Sequence, residues 1–159
     1  LRGKKVLVIH PFDESIRKQY QENREHMFER IYDADDILPE FELITLKAVQ
    51  TLAGEKDNRF RTWFDALDWM IDQCREIDFD VAVIGCGAYG FPLAAEIKRM
   101  GKIAVHLGGA TQLLFGIIGS RWEEEYSDFN RDVVNEYWVR PLESEKIKHA
   151  NAVEEACYW

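Results

Sequence analysis

The run VAVIGCGAYGFPLAAEIKRMGKIAVHLGG, from Val81 to Gly109, constrains the fold of this chain more than any other feature. A β-branched apolar stretch leads into a glycine-rich turn. A helical segment with Pro92 in its first turn follows, Gly101 ends it, and a second strand-like stretch closes on a glycine pair. Strand, helix and strand in this order make a parallel pair joined by a crossover, and such crossovers are right-handed in nearly all proteins. Proline suits a first helical turn and glycine a helix end, so the local signals agree with that reading.

The rest of the chain repeats the alternation. KKVLVI, from Lys4 to Ile9, reads as a buried parallel strand. A helix is expected from Asp13 to Ile31, where Ile16, Tyr20, Met27, Phe28 and Ile31 share a face. FELITL, from Phe41 to Leu46, reads as a second strand, after the acidic turn DADDILPE. KAVQTLAGEKD is expected to be irregular. Phe60, Trp63, Phe64, Leu67, Met70, Ile71, Cys74 and Ile77 recur at three- and four-residue steps, which predicts an amphipathic helix. DVAVI, from Asp80 to Ile84, is the third strand, Phe91 to Met100 the next helix and KIAVHL the fourth strand. TQLLFGII is a short helix or an apolar loop. Ser120 to Trp159 has weak periodicity, with a helical turn expected near Asp128 to Asn135. The pattern predicts one α/β domain over 1–159. It is a Rossmann-like three-layer architecture with a mostly parallel sheet of about four strands in the order 2-1-3-4, flanked by helices.

In such a sheet a ligand sits beyond the carboxyl ends of the strands, where the strand order reverses. That rule brings two loops together. One carries His10 and Ser15 after the first strand; the other is Gly85, Cys86, Gly87, Ala88, Tyr89 and Gly90 after the third. The second loop spells G-x-G-x-x-G, the dinucleotide fingerprint. That fingerprint also requires an acidic residue at the end of the next strand, and here the zone reads VHLGGATQ, with His106 and no carboxylate. The loop therefore reads as an anion-binding strand-to-helix turn, in which glycines let backbone N–H groups approach a ligand at a helix N-terminus. The same glycines also serve a tight turn with no ligand. His10 and His106, at strand ends, are the candidate acid–base residues, each equally readable as a hydrogen-bonded buried residue. Gly108 and Gly109 form the second glycine turn. Cys86 is a small loop residue, since no base is identifiable for a thiol nucleophile. Arg121 suits a phosphate and Trp122 a stacked base or sugar. The run Glu123 to Glu125 reads as a solvated face. The closing CYW is apolar enough to pack on the domain or on a partner.

Composition narrows the classes. The 159 residues carry a formal net charge of −9, which argues against general nucleic-acid binding. No apolar run is long enough to span a bilayer. Three cysteines, Cys74, Cys86 and Cys157, without metal-like spacing fit free thiols in a reducing cytoplasm, and no metal site is predicted.

The phrases KKVLVIHPFDESIRKQY, DFDVAVIGCGAYGFPLAAEIKRMGK, AVHLGGATQLLFGIIGSRW, NEYWVRP and CYW resemble bacterial proteins related to the GT-D fold glycosyltransferases, over nearly the whole chain. The resemblance implies a sugar-nucleotide-dependent glycosyltransferase, or its nucleotide-binding domain, in surface-polysaccharide biosynthesis. It implies a sugar nucleotide as small-molecule partner and a divalent cation, Mg or Mn, as its companion. Members carry an acidic Gly-Asp-Gly-Glu-like segment in an additional N-terminal region. Leu1 to Trp159 contains none, so the chain is expected to be the C-terminal part of a longer protein. GIIGSRW and VEEACYW depart from the related pattern, where a more basic loop and glycines are expected. The competing expectation is a non-catalytic α/β module that binds a small anion or assembles a larger complex, with a second copy of the chain as a candidate partner. A small hydrolase using His10 or Cys86 is a third, and lacks a recognisable triad.

Overall fold

A computed structural model describes residues 1–31, 37–51, 56–125, 127–147, 150 and 158–159, with side chains at 124, 125 and 127 outside the description. Half of the DADDILPE turn, four residues of the KAVQTLAGEKD segment, and Cys157 lie outside the described residues. Strands β1 (Lys5–His10), β2 (Glu42–Lys47), β3 (Val81–Ile84) and β4 (Ile103–His106) form one parallel sheet in the order β2-β1-β3-β4. Helices α1 (Asp13–Asn23), α2 (Trp63–Glu76) and α3 (Gly90–Arg99) make the crossovers, and α4 (Ala110–Leu113), α5 (Ser120–Glu125) and α6 (Ser127–Asp132) follow β4.

β1 lies at the centre because its residues are apolar on both faces. Val6 and Val8, with Val83 of β3, face a core shared with Phe12 and Ile16 of the α1 region and with Phe115, Trp122, Trp138 and Trp159 from the second half. Leu7 and Ile9, with Ala82 and Ile84, face α2 and α3 through Leu67, Met70, Cys74, Leu93 and Ile97. Each fully buried aliphatic side chain contributes about 1.5–3 kcal/mol. Three layers result, as the alternation of elements predicts.

One element differs from the sequence expectation. α1 ends at Asn23 rather than Ile31. Beyond it the main chain turns through i→i+3 bonds, and its carbonyls bond to distant residues instead of continuing a helix. Asn135 Nδ2 donates to the His26 carbonyl at 2.8 Å and Trp138 Nε1 to the Met27 carbonyl at 2.7 Å. β4 pairs only with β3, so it is an edge, and Ile103 (60 % exposed), Val105 and Leu107 face outward. The polar-aromatic tail is not loose, because Trp122, Trp138 and Trp159 are buried in the core and Val139 bridges Ile117.

Candidate functional site

The carboxyl ends of β1 and β3 open into a cavity of about 390 Å³ at the point where the strand order reverses. Its floor is two glycine turns. At Gly85 a side chain would strike the Gly108 carbonyl oxygen, 2.7 Å from the built Cβ, so only glycine lets the turns pack together. Gly87 has φ +55° and Gly108 φ +59°, the left-handed region that favours glycine. Between β3 and α3, Gly87–Tyr89 forms a single 3-10 turn. The N–H groups of Cys86, Gly87 and Ala88 make no hydrogen bond to any described residue.

The walls are aromatic. Tyr89 stacks on Trp63, ring centroids 4.8 Å apart and 7° from parallel. Trp63 opens α2, whose start is fixed by a capping box: Asp65 N–H donates to Thr62 Oγ1 at 3.1 Å, and Thr62 N–H to Asp65 Oδ2 at 2.9 Å. Tyr158 and Trp159 close the opposite side. They are held by Gln112 Nε2 donating to the Tyr158 carbonyl (3.3 Å), Arg140 Nη1 donating to the Trp159 carbonyl (2.6 Å), and Ser120 N–H donating to the same carbonyl (3.2 Å). Among the described residues that line the cavity there is no Asp, Glu, Lys or Arg.

His10 ends β1 and lines the cavity at 4 % exposure. Its Nδ1 accepts the Phe12 N–H at 3.0 Å, and burial pushes its pKa down to about 3. Cys86 also lines the cavity, but burial pushes its thiol up to about 12, with the Cys74 charge adding to the effect. This is the opposite of an activated nucleophile.

Of the residues singled out in the sequence, His10, Gly85, Gly87, Ala88, Tyr89, Gly108 and Gly109 come together around the cavity. The others stand elsewhere. Ser15 turns away: its Oγ donates to Glu145 and accepts the Leu142 N–H at 2.9 Å, so it anchors the tail. Gly90 and His106 pack on each other, and a Cβ at Gly90 would occupy the imidazole's place. His106 also meets Phe91 edge-on at 5.1 Å and is not part of the lining. Trp122 is buried beside Tyr158, ring centroids 5.7 Å apart. Arg121 is not part of the described lining, and it donates to the hydroxyl of Tyr158 at 3.0 Å.

Sequence reasoning missed Trp63, Gln112 and the Tyr158 side of the wall as cavity residues. Gln112 carried a usable signal, an amide within the apolar stretch TQLLFGII, and it is fully buried. Trp63 belonged to an apolar stripe and gave no sign that it heads its helix at the cavity. Among the described residues no three His, Cys, Asp or Glu side chains group to hold a metal ion, so these residues do not fit the divalent cation that the resemblance implies. No helix is long and apolar enough to cross a membrane. No protein-family model, curated protein or solved structure matches the chain.

Proposed function

We propose that this chain is the sugar-nucleotide-binding domain of a glycosyltransferase, as the resemblance of its phrases to the GT-D fold group suggests. One observation carries the reading: the cavity at the strand-order switch point is floored by a glycine turn whose N–H groups bond to no described residue, and it is walled by stacked aromatics. Backbone donors at a helix start suit phosphate oxygens, and the aromatic faces suit a base or sugar ring. Transfer breaks the bond from the anomeric carbon to the diphosphate oxygen, which leaves with the electron pair, and forms one to an acceptor hydroxyl oxygen, whose proton passes to solvent. Fixed donors at the diphosphate favour that step by stabilising the departing charge. Free buried thiols at Cys74 and Cys86 agree with action in a reducing cytoplasm.

A second reading, a binding module that carries out no chemistry, is favoured by the absence of any carboxylate or amine from the described lining. Both readings require a ligand in the cavity and are separated by turnover. Calorimetric titration with UDP-, GDP- and dTDP-sugars is expected to give saturable heat with at least one of them. The Gly87→Asp variant, which sets a carboxylate among the N–H groups, is expected to abolish that heat. Binding without glycosyl transfer or donor hydrolysis selects the module. No heat with any member of the panel rejects the sugar-nucleotide reading.

A further inference from the structure

We propose that His10 meets the ligand as a fixed hydrogen-bond donor, its Nε2–H and the N–H groups of Cys86, Gly87 and Ala88 together forming a donors-only seat for a phosphate oxygen. The inference deepens the sugar-nucleotide reading and rests on it for the identity of the rest of the ligand.

The main chain fixes the tautomer of His10. A neutral imidazole has one N–H and one lone pair. The Phe12 N–H points at Nδ1 from 3.0 Å, so Nδ1 must supply the lone pair and Nε2 must carry the proton. The turn that brings Phe12 back onto His10 contains Pro11, which has no N–H of its own to compete for that acceptor. Nε2 makes no hydrogen bond to a described residue. The unpartnered atoms Tyr89 Oη and Gln112 Oε1 are enclosed, whereas Nε2 remains open to the cavity. A side chain that is 96 % buried thus spends its one free polar atom on the ligand space (its exposure is 4 %).

What shares the cavity with it decides the ligand chemistry. The glycine turn lines the same cavity, and its N–H groups are also donors that bond to no described residue. Donors that line one cavity suit an oxygen with several lone pairs, and phosphate provides three such oxygens. The role of base is closed to His10 in this arrangement, because its lone pair is already bonded to the main chain. The imidazole is a donor to charge on the ligand, and it stays uncharged while donating. Burial, which holds its pKa near 3, keeps it so throughout the physiological range.

The test is nitrogen-resolved NMR of the histidines in the whole chain, from pH 5 to 8, with pyrophosphate and UDP-glucose as probes. His10 is expected to show a protonated Nε2 and a bare Nδ1 across the range, with no titration, and its Nε2–H signal is expected to shift on addition of either probe. His10→Ala is expected to weaken pyrophosphate binding by about 10- to 100-fold, the usual worth of a hydrogen bond to a charged group. His10→Gln, which can place an amide N–H near the same point, is expected to recover most of the loss. Titration of His10 within that range, a proton on Nδ1, or an Nε2–H signal unmoved by a bound probe overturns the proposal even if the alanine variant fails to fold. If both probes bind and move the signal but UDP-glucose binds no more tightly than pyrophosphate, the donor role stands and the sugar-nucleotide reading falls. If UDP-glucose binds and His10 does not respond, the reading stands and the donor role falls. If neither probe binds, the donor role falls, and the sugar-nucleotide reading falls with it when the GDP- and dTDP-sugars also give no heat.

Discussion

Glu145 shows how one residue can serve a fold far from its own segment. Its carboxylate accepts the Glu14 N–H at 2.8 Å and the Ser15 N–H at 3.3 Å, together with the Ser15 hydroxyl, and so caps the N-terminus of α1 from the tail. The α1 start has no side-chain cap of its own, which leaves those donors to Glu145. Burial raises the Glu145 pKa, outweighing these hydrogen bonds, and Asp13 adds to the rise. A carboxyl whose folded pKa lies above its unfolded one binds more protons in the native state, so stability falls as pH rises through the folded pKa. Urea denaturation from pH 4 to pH 7 is therefore expected to show a falling contribution from Glu145. Glu145→Gln, which mimics the protonated carboxyl, is expected to remove that slope and to match the parent most closely at the low-pH end. An unchanged slope in the variant would assign the pH dependence to other groups. Ser15 was legible in the sequence as a residue near the first loop. Its partner, 130 positions away, was not, because no local pattern announces a long-range cap.

At the scale of elements, legibility follows how local the determinants are. α2 begins where T-W-F-D supplies a capping box and runs along the stripe of Leu67, Met70, Ile71 and Cys74, so its existence and buried face could both be read. α3 and its glycine turn were readable for the same reason. α1 was overextended because the apolar spacing through Met27 and Phe28 is real, yet those residues pack against Trp138 and the tail in a different backbone form. The order 2-1-3-4 put β4 at the sheet edge, and one of its faces lies open there. The capping box also positions Trp63 against Tyr89, which links helix initiation to the cavity wall. Thr62→Ala is expected to cost about 1 kcal/mol of stability. Thr62→Ser is expected to cost much less, since it keeps the accepting oxygen. Equilibrium denaturation measures both, and equal losses in the two variants would mean that the hydroxyl does not cap the helix.

For the whole molecule, the strand order 2-1-3-4 was the simplest that alternation and right-handed crossovers allow, and it placed the His10 and Gly85 loops beside one another before any side-chain contact was considered. The opposite wall needed the tail. Tyr158 and Trp159 reach the cavity through bonds from Gln112, Ser120 and Arg140, contacts between segments with no shared pattern. The same tail completes the core on the α1 side of the sheet, where Trp159 lies edge-on to Phe12 with ring centroids 5.3 Å apart. Cavity wall and hydrophobic core are therefore one structure here, and loosening one loosens the other. Trp159→Ala is expected to lower unfolding free energy by about 3–5 kcal/mol, the usual cost of emptying a buried aromatic site. Phe64→Ala, at a position 69 % exposed, is the control and is expected to stay within about 0.5 kcal/mol of the parent. Denaturant titration of the three proteins decides the matter. If Trp159→Ala proves as mild as Phe64→Ala, the tail rests on a core that is already complete, and the cavity wall it forms is separable from the stability of the sheet.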